Sequence, residues 1–481
     1  MYLVTPSGEV LLKSESTRRR MIRLLVECIR DALSRRGLSL LEARVDGARL
    51  LLWCSGEPLR VLAALSRVFG VQYAASTVSV EFKSLDQLAE IVERYYSSVV
   101  SGKKFAVRVH RHGSHNFTSL DAARVIGAKL KPYSSGVDLE NPDVEVFVEI
   151  RGWRAYLYTS SERVKGPSGL PLGSEGTALV LFSGGIDSPV AAWMTAKRGV
   201  RVDFLHAVVS SPASIYYSLR VAKRLALEWL HAYNPKLIIV DVAKLVYEAT
   251  RRLPRRLWML VFKKLLYSVG DYIASTRGYD AIVTGESIGQ TSSQTLANLA
   301  VLHRVVATLK PIIRPLAGMD KLEIEEQARR IGVYEEASKT PEYSALARRG
   351  ATPRASLSDA KILEEVKPVK PRILAELNLL EDDWSRVLEV MPLELDYVPA
   401  DALIVGIEEA KNVETPTPRP VVIVYTSGDE RREALNTVKQ LRSKGVNAYL
   451  YHAESLREAE RARIRIEPGE GVPQPRCCSS P

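Results

Sequence analysis

The chain has 481 residues, too many for one compact core, so two to four domains are expected. Apolar residues make up 46% and charged residues 26%, which is ordinary for a soluble globular protein, and no apolar run is long enough to cross a bilayer, which excludes a helical membrane protein. A net charge of +11 points to a polyanionic partner, with a solvated basic surface as the plainer alternative.

The N-terminal stretch MYLVTPSGEVLLKS brings charges early and no apolar run after them. It does not read as a signal peptide, and a cytoplasmic location is expected. The four cysteines, Cys28, Cys54, Cys477 and Cys478, include no CxxC pair, so no zinc ribbon or iron–sulfur cluster is expected and no metal-ligand set is assigned. So few thiols fit a reducing compartment.

Residues 1–59 are expected to form a small α/β unit. MYLV and GEVLLK are strand-like, and TRRRMIRLLVECIRDALSRRG places Met21, Leu24, Leu25, Cys28 and Leu33 near helical spacing before Gly37. Residues 60–165 are expected to form a second α/β unit. There Ser84 and Gln87 stand at capping-box spacing ahead of LDQLAEIVERYYSSVV. KFAVRVH alternates as a strand, Thr118 opens a helix, and VEVFVEI and RAYLY are strands. Residues 101–135 carry seven basic residues, Lys103, Lys104, Arg108, Arg111, Arg124, Lys129 and Lys131, against Asp121 alone. This concentration favours an RNA surface. His110, His112 and His115 would permit a metal by spacing, although an RNA-facing loop is preferred, and Phe117 is either a base-stacking ring or a buried anchor.

Residues 161–177 are rich in Gly, Ser and Pro and read as a linker. From 178 to 345 the apolar runs ALVLF, VDFLHAVV, LIIVDV and DAIVTG alternate with helical stretches, which predicts a doubly wound parallel sheet. Within this region residues 251–270, RRLPRRLWMLVFKKLLYSVG, hold six basic residues and no acid. Residues 346–394 read as an irregular helical extension. Residues 395–463 read as a last α/β segment, and 464–481 as a disordered tail.

The loop in LVLFSGGIDSPVAAW, residues 179–193, follows a buried strand and opens a helix. Gly184 and Gly185 permit close backbone approach, the amides of Ser183 to Ser188 could converge on one anion, and the helix N-terminus adds positive potential. Ser183 and Ser188 can donate hydroxyl hydrogen bonds, and Pro189 suits the first helical turn. This predicts a phosphate cradle. It is not of the Walker type, because no lysine follows the glycines, and so the bound pyrophosphate is expected to leave as a unit. Asp187 would repel a bare phosphate, which points to Mg²⁺ or to the reacting centre.

SGGIDS resembles the pyrophosphate loop of the ATP pyrophosphatases, which adenylate a substrate and release pyrophosphate. TGESIGQTSSQTLANL at 284–299, IIRPLAGMDKLEI at 312–324 and TPEYSAL at 340–346 resemble the tRNA 4-thiouridine synthetase, or tRNA sulfurtransferase, family. The resemblance covers about the first 345 residues. It implies an α/β multidomain chain: an N-terminal ferredoxin-like domain at 1–59, a THUMP RNA-binding domain at 60–165, and a doubly wound ATP-pyrophosphatase domain at 178–345. Residues 395–463 vaguely resemble a rhodanese strand, loop and helix.

Carried over onto matching positions, the resemblance implies ATP contacts from Leu181, Phe182, Ser183, Gly184, Gly185, Ser188, His206, Ala207, Lys263, Gly285 and Gln294. It implies catalytic roles for Asp187 and Lys321. O4 of uridine 8 in tRNA would attack the α-phosphorus of ATP, Mg²⁺-bound pyrophosphate would leave, and a sulfur nucleophile would displace AMP. The implied partners are tRNA, a sulfur donor (a cysteine desulfurase persulfide or free sulfide) and, for some members, a thiamine-pathway sulfur carrier protein. The sequence leaves the oligomeric state open, a homodimer included.

The family pattern breaks where rhodanese-bearing members use cysteines. Ser344 stands at the resolving position and Thr426 or Ser427 at the persulfide position, and a hydroxyl cannot hold sulfane sulfur. Sulfide, a partner's persulfide or Cys477–Cys478 remain as sources. Two other functions stay open: an enzyme that adenylates a tRNA base for a different nucleophile, and a non-catalytic RNA-binding protein with a relic ATP site.

Overall fold

The computed structural model describes residues 1–209, 213–340, 352–366, 370–395, 398–399, 402–414, 417 and 419–464. It divides into two compact units, one of residues 1–174 with 197–199 and one of 175–196 with 200 onward.

The first unit holds two five-stranded sheets. One is built from β1 (Tyr2–Pro6), β2 (Leu40–Asp46), β3 (Arg49–Cys54) and β4 (Val71–Ser76), with helices Glu15–Ser34 and Pro58–Leu65 between them. Strand β4 thus lies beyond the expected boundary at 59/60. It pairs antiparallel with β1, so the first sheet continues to Ser76. The second sheet is built from β5 (Val78–Glu81), β6 (Lys104–His112), β7 (Gly136–Val137), β8 (Val144–Arg151) and β9 (Arg154–Thr159), in the order β5-β9-β8-β6-β7. A short strand, β10 (Arg163–Lys165), returns to pair with β4, giving β10-β4-β1-β3-β2 in the first sheet.

Alternation puts Phe105 and Val107 of β6 and Val146 and Val148 of β8 into one core with Leu88, Val92 and Leu130 of the helices Leu85–Tyr96 and Ser119–Leu130. The Ser84 hydroxyl accepts from the Gln87 amide as its spacing predicts, but the Gln87 side chain reaches back to the Lys83 amide. Thr118 and Asp121 form a reciprocal capping box. GEVL is a helical turn, Gly8–Leu11, and not a strand. Val10 is buried with Met21 and Leu170, and a four-residue apolar cluster cannot declare its period. Glu149, 3% exposed, ties the two sheets by accepting from Arg49 at 2.8 Å and Arg151 at 3.0 Å.

The second unit is built on a six-stranded sheet. Its strands are β11 (Thr177–Leu181), β12 (Arg201–Val208), β13 (Lys236–Asp241), β14 (Ala281–Val283), β15 (Ile312–Ile313) and β16 (Arg372–Asn378), in the order β15-β14-β11-β12-β13-β16. The first five run parallel and β16 runs antiparallel on the edge. Both alternating sets of β11 and β12 are buried, so helices cover both faces. One set, including Leu179, Leu181 and Leu205, packs on helices Ala243–Arg252 and Trp258–Arg277.

Because β11 is central, with β12 to one side and β14 to the other, the strand order reverses beside it. Its carboxyl end is therefore the switch point where such sheets open a crevice. Strand β16 corrects the expected helical extension at 346–394. RILAELN alternates between exposed and buried positions on the free edge of β13, and its short run between prolines concealed that period.

Further on, β17 (Val398–Pro399), β18 (Leu403–Val405), β19 (Val421–Tyr425), β20 (Ala448–His452) and β21 (Arg463–Ile464) form two small sheets. One is parallel in the order β18-β19-β20, and the other pairs β17 with β21. The helix Gly428–Ser443 packs on the first. The expected tail at 464–481 lies, after residue 464, outside the described residues. No described helix is long and apolar enough to cross a membrane.

Candidate active site

The glycine loop leaves the carboxyl end of β11 and enters the helix Asp187–Lys197. Gly184 has φ +81°, and a Cβ built on it would lie 2.8 Å from Cα of Ser218. The helix behind therefore fits against a bare backbone, and only glycine serves there. The hydroxyls of Ser183 and Ser188 sit 3.3 Å apart; the Ser183 amide donates to the Ser188 oxygen and the Gly185 amide to the Ser183 oxygen. The amides of Gly184 and Ile186 donate to no described residue. Such a loop can hold an anion, and its own serines pin its rim. Leu181 and Phe182, both buried, shape it from behind, with the Phe182 ring edge-on to Phe204 at 4.8 Å.

His206, near the end of β12, is 3% exposed and burial pushes its pKa down to about 4. Nδ1 lies 3.0 Å from the Phe182 carbonyl, which only accepts, so Nδ1 carries the proton. Nε2 then accepts from Ser214 at 2.9 Å. The Ser218 hydroxyl stands 2.8 Å from Nδ1 and donates to the Ser183 carbonyl at 2.9 Å. His206 is therefore a neutral brace linking β12 and the next helix to the loop. Ala207 follows it, half-buried against the sheet core.

Asp187 faces the loop mouth. Lys321, from the start of the helix Lys321–Ile331, reaches its carboxylate at 2.8 Å, and Gln290 donates to the other oxygen at 3.1 Å. Asp320 caps that helix in a capping box with Glu323. Gly285 comes so close that a Cβ would stand 3.0 Å from the Asp187 carbonyl carbon and the Ser188 amide. Gln294 braces the same segment by accepting from the Ser287 amide at 3.2 Å. Thr340 donates to the Gly184 carbonyl at 2.8 Å.

Lys263 is not presented to open solvent. It is 8% exposed and binds Glu286 at 2.5 Å, while Arg314 binds the other Glu286 oxygen at 2.8 Å and the Tyr267 hydroxyl donates to it. Burial alone would raise the Glu286 carboxyl; Lys263, Tyr267 and Arg314 outweigh it and hold the group below its usual range.

The THUMP family model matches residues 82–160, and the thiamine biosynthesis protein (ThiI) family model matches residues 173–367, which include the whole loop. A tRNA sulfurtransferase of Desulfurococcus amylolyticus is 43% identical over 470 residues, covering 93% of this chain and 96% of that one. The chain belongs to the tRNA sulfurtransferase family. A tRNA sulfurtransferase of Pyrobaculum aerophilum is 39% identical, covering 84% of this chain and 83% of its own. A solved 4-thiouridine synthetase–RNA complex with bound ATP has a TM-score of 0.63 at 28% identity, covering 76% of this chain and 94% of that one.

Of the basic positions assigned to RNA, Lys103 and Lys131 are exposed and Lys129 is half-exposed; none pairs with a carboxylate among the described residues. Lys104 lies 3.5 Å from Asp138, Arg108 pairs with Glu145 at 2.9 Å, and Arg111 donates to the Gly113 carbonyl at 2.8 Å. Phe117 is the buried anchor and not a free stacking ring: it is 8% exposed, with its ring against His115. No group of three metal-ligating side chains occurs among the described residues.

Sequence reasoning missed Gln290, Ser214, Ser218, Glu286, Arg314 and Thr340. Ser214 and Ser218 stand four apart, one helical turn, which was the available sign that both hydroxyls share a face. The position of Ser344 and the pair Cys477–Cys478 lie outside the described residues. Cys28 is buried, and burial pushes the Cys54 thiol up to about 11, far from a reactive thiolate.

Proposed function

We propose that this member of the tRNA sulfurtransferase family adenylates uridine 8 of tRNA with ATP and replaces O4 by sulfur, giving 4-thiouridine. The observation that carries this reading is the Asp187–Lys321 pair at the mouth of the glycine loop, which joins residues 134 positions apart at 2.8 Å. The loop amides and the serine hydroxyls suit the β- and γ-phosphates of ATP, and the helix packed behind Gly184 leaves no room there for a side chain.

O4 of the uracil attacks the α-phosphorus while the bond to pyrophosphate breaks, and the N3 proton is released as the O4–P bond forms. The sulfur nucleophile then adds at C4, and the C4–O bond breaks to expel AMP. Lys321 places positive charge where negative charge accumulates on the phosphates, and Asp187 holds Lys321 in place. Asp187 is also the carboxylate that would meet Mg²⁺, whose contribution is neutralisation of phosphate charge.

Lys263 lies deeper than a free phosphate ligand. We read it as reaching the nucleotide from a fixed position held by Glu286.

We further propose the domain reading in which residues up to Ser76 form the ferredoxin-like unit, since strand–helix–strand–strand–helix–strand is its order. In this reading the second sheet is the THUMP unit, and Lys103, Lys104, Arg108, Arg111, Lys129 and Lys131 serve tRNA in the cytoplasm. Residues 395–463 are read as a rhodanese-like segment without its cysteine. Thr426 or Ser427 stands at that place, and the Thr426 hydroxyl donates to Glu430 at 2.7 Å. Sulfur then arrives as sulfide, on a partner's persulfide or on Cys477–Cys478. Nucleoside mass analysis of tRNA from a strain lacking the protein tests the reading: 4-thiouridine disappears, and unchanged 4-thiouridine sinks it.

A further inference from the structure

One charged feature of the second unit is absorbed neither by the glycine loop nor by the THUMP surface. The segment RRLPRR, residues 251–256, joins the helix Ala243–Arg252 to the helix Trp258–Arg277. Arg251, Arg252 and Arg255 are exposed, and none of them is within ion-pair distance of a carboxylate among the described residues. The one acid on the preceding turns, Glu248, is exposed and bonds to none of them. Arg256 differs: it binds Asp359 at 2.7 Å and so anchors the turn.

The turn is fixed at several points. The Leu257 side chain is fully buried, the Trp258 indole donates to the Leu253 carbonyl at 3.1 Å, and the Arg256 carbonyl accepts from the Thr352 amide at 3.0 Å. Arg255 lies over the Trp258 ring at 5.5 Å and Arg251 over the Tyr247 ring at 5.7 Å. Aromatic stacking holds a guanidinium in one plane while leaving its N–H edge to a phosphate.

Its place in the fold follows from Lys263. That lysine lies a turn and a half into the helix and binds Glu286, which follows the carboxyl end of β14. The chain ahead of Lys263 therefore projects past the carboxyl edge of the sheet, the edge that carries the glycine loop.

We infer that Arg251, Arg252 and Arg255 form a second phosphate-contact ledge, on the catalytic unit itself, which grips the backbone of the tRNA substrate beside the ATP loop. This inference rests on the tRNA reading above. Three guanidiniums without a described carboxylate partner, two of them stacked on rings, fit a regularly spaced row of phosphates better than a folded acidic protein, whose carboxylates would be carried on mobile side chains.

The test is binding of unmodified tRNA between about 50 and 200 mM salt by wild type, by the triple variant Arg251→Gln/Arg252→Gln/Arg255→Gln and by the triple lysine variant. Arg256 is left in place. The glutamine triple is expected to bind roughly tenfold or more weakly, with its log–log salt slope reduced by about one for each arginine lost. The lysine triple should keep the slope. If the glutamine triple proves unstable by thermal melt, Arg255→Gln alone should still lower the slope by about one.

Unchanged affinity and slope overturn the ledge. So does a glutamine triple that binds tRNA normally but needs more cysteine desulfurase in the thiolation assay, since the turn would then serve a protein donor. Failure of wild type to thiolate tRNA would instead count against the functional reading, whatever the slopes.

Discussion

Two loops in the second unit have the same local design and opposite contents. Each leaves a parallel strand at its carboxyl end and enters a helix: Phe182–Asp187 after β11, and Thr426–Gly428 after β19. In the first, serine hydroxyls close only the rim, and the amides of Gly184 and Ile186 have no described partner. In the second, the Glu430 carboxylate accepts from both the amide and the hydroxyl of Thr426, and the Ser427 hydroxyl caps the helix. The second loop has supplied its own anion. A strand–loop–helix corner becomes a site only where its donors are left unspent, and that depends on one or two side chains.

The largest effect should come from Asp187→Ala. If the proposed roles hold, losing the carboxylate that binds Lys321 lowers ATP-dependent AMP release by roughly 10²–10³-fold. Pyrophosphate release with tRNA present measures it, and a loss under tenfold would place the chemistry elsewhere.

The next effect is the pH dependence that His206 adds through the first loop, at a higher pH than that at which lowered carboxyls such as Glu430 act. The folded pKa of His206 is about 4, below its unfolded value, so the folded state resists protonation. Stability is complete above the unfolded pKa and is lost as pH falls from about 6.5 toward 4, by roughly 3 kcal/mol in all. Urea unfolding at several pH values should show this slope, and His206→Asn should remove its part between about pH 6.5 and 5, leaving the carboxylate-driven loss at lower pH.

A matched glycine pair separates the loops more finely. Gly184→Ala combines a positive φ with a Cβ 2.8 Å from Ser218. It should cost about 1–3 kcal/mol and raise the KM for ATP. Gly428→Ala meets no atom within 4 Å and has no positive φ, so it should leave both stability and KM close to wild type. Equal effects at the two positions would erase the distinction between them.

The smallest effect concerns the filled loop. Thr426→Cys alone should react slowly with alkylating agents, because the Glu430 carboxylate beside it disfavours a thiolate. Adding Glu430→Gln should speed alkylation several-fold at neutral pH, and no acceleration would mean that Glu430 does not control the corner.

Much of the site is continuous in sequence and was legible there. SGGIDS announces itself through glycines between a buried strand and a helix, and the buried runs announce a parallel sheet. What escaped is what requires two distant segments to meet. Glu286 reads as an ordinary acid until the fold surrounds it with Lys263, Tyr267 and Arg314, and the role of Gln290 exists only because its loop folds over Asp187. Strand β16 escaped because an edge strand is defined by the edge it joins. The first sheet's boundary escaped because β4 and β10 pair across nearly ninety residues of intervening chain, a register no local period encodes.

In the proposed reaction the glycine loop spends ATP to activate a tRNA uridine for sulfur. Purified protein, unmodified tRNA, ATP and sulfide, followed by nucleoside mass analysis and AMP quantitation, test it most directly. The account predicts 4-thiouridine and AMP in equal amounts, both abolished by Asp187→Ala. AMP release without a thiolated nucleoside, or 4-thiouridine formed without ATP, would contradict it.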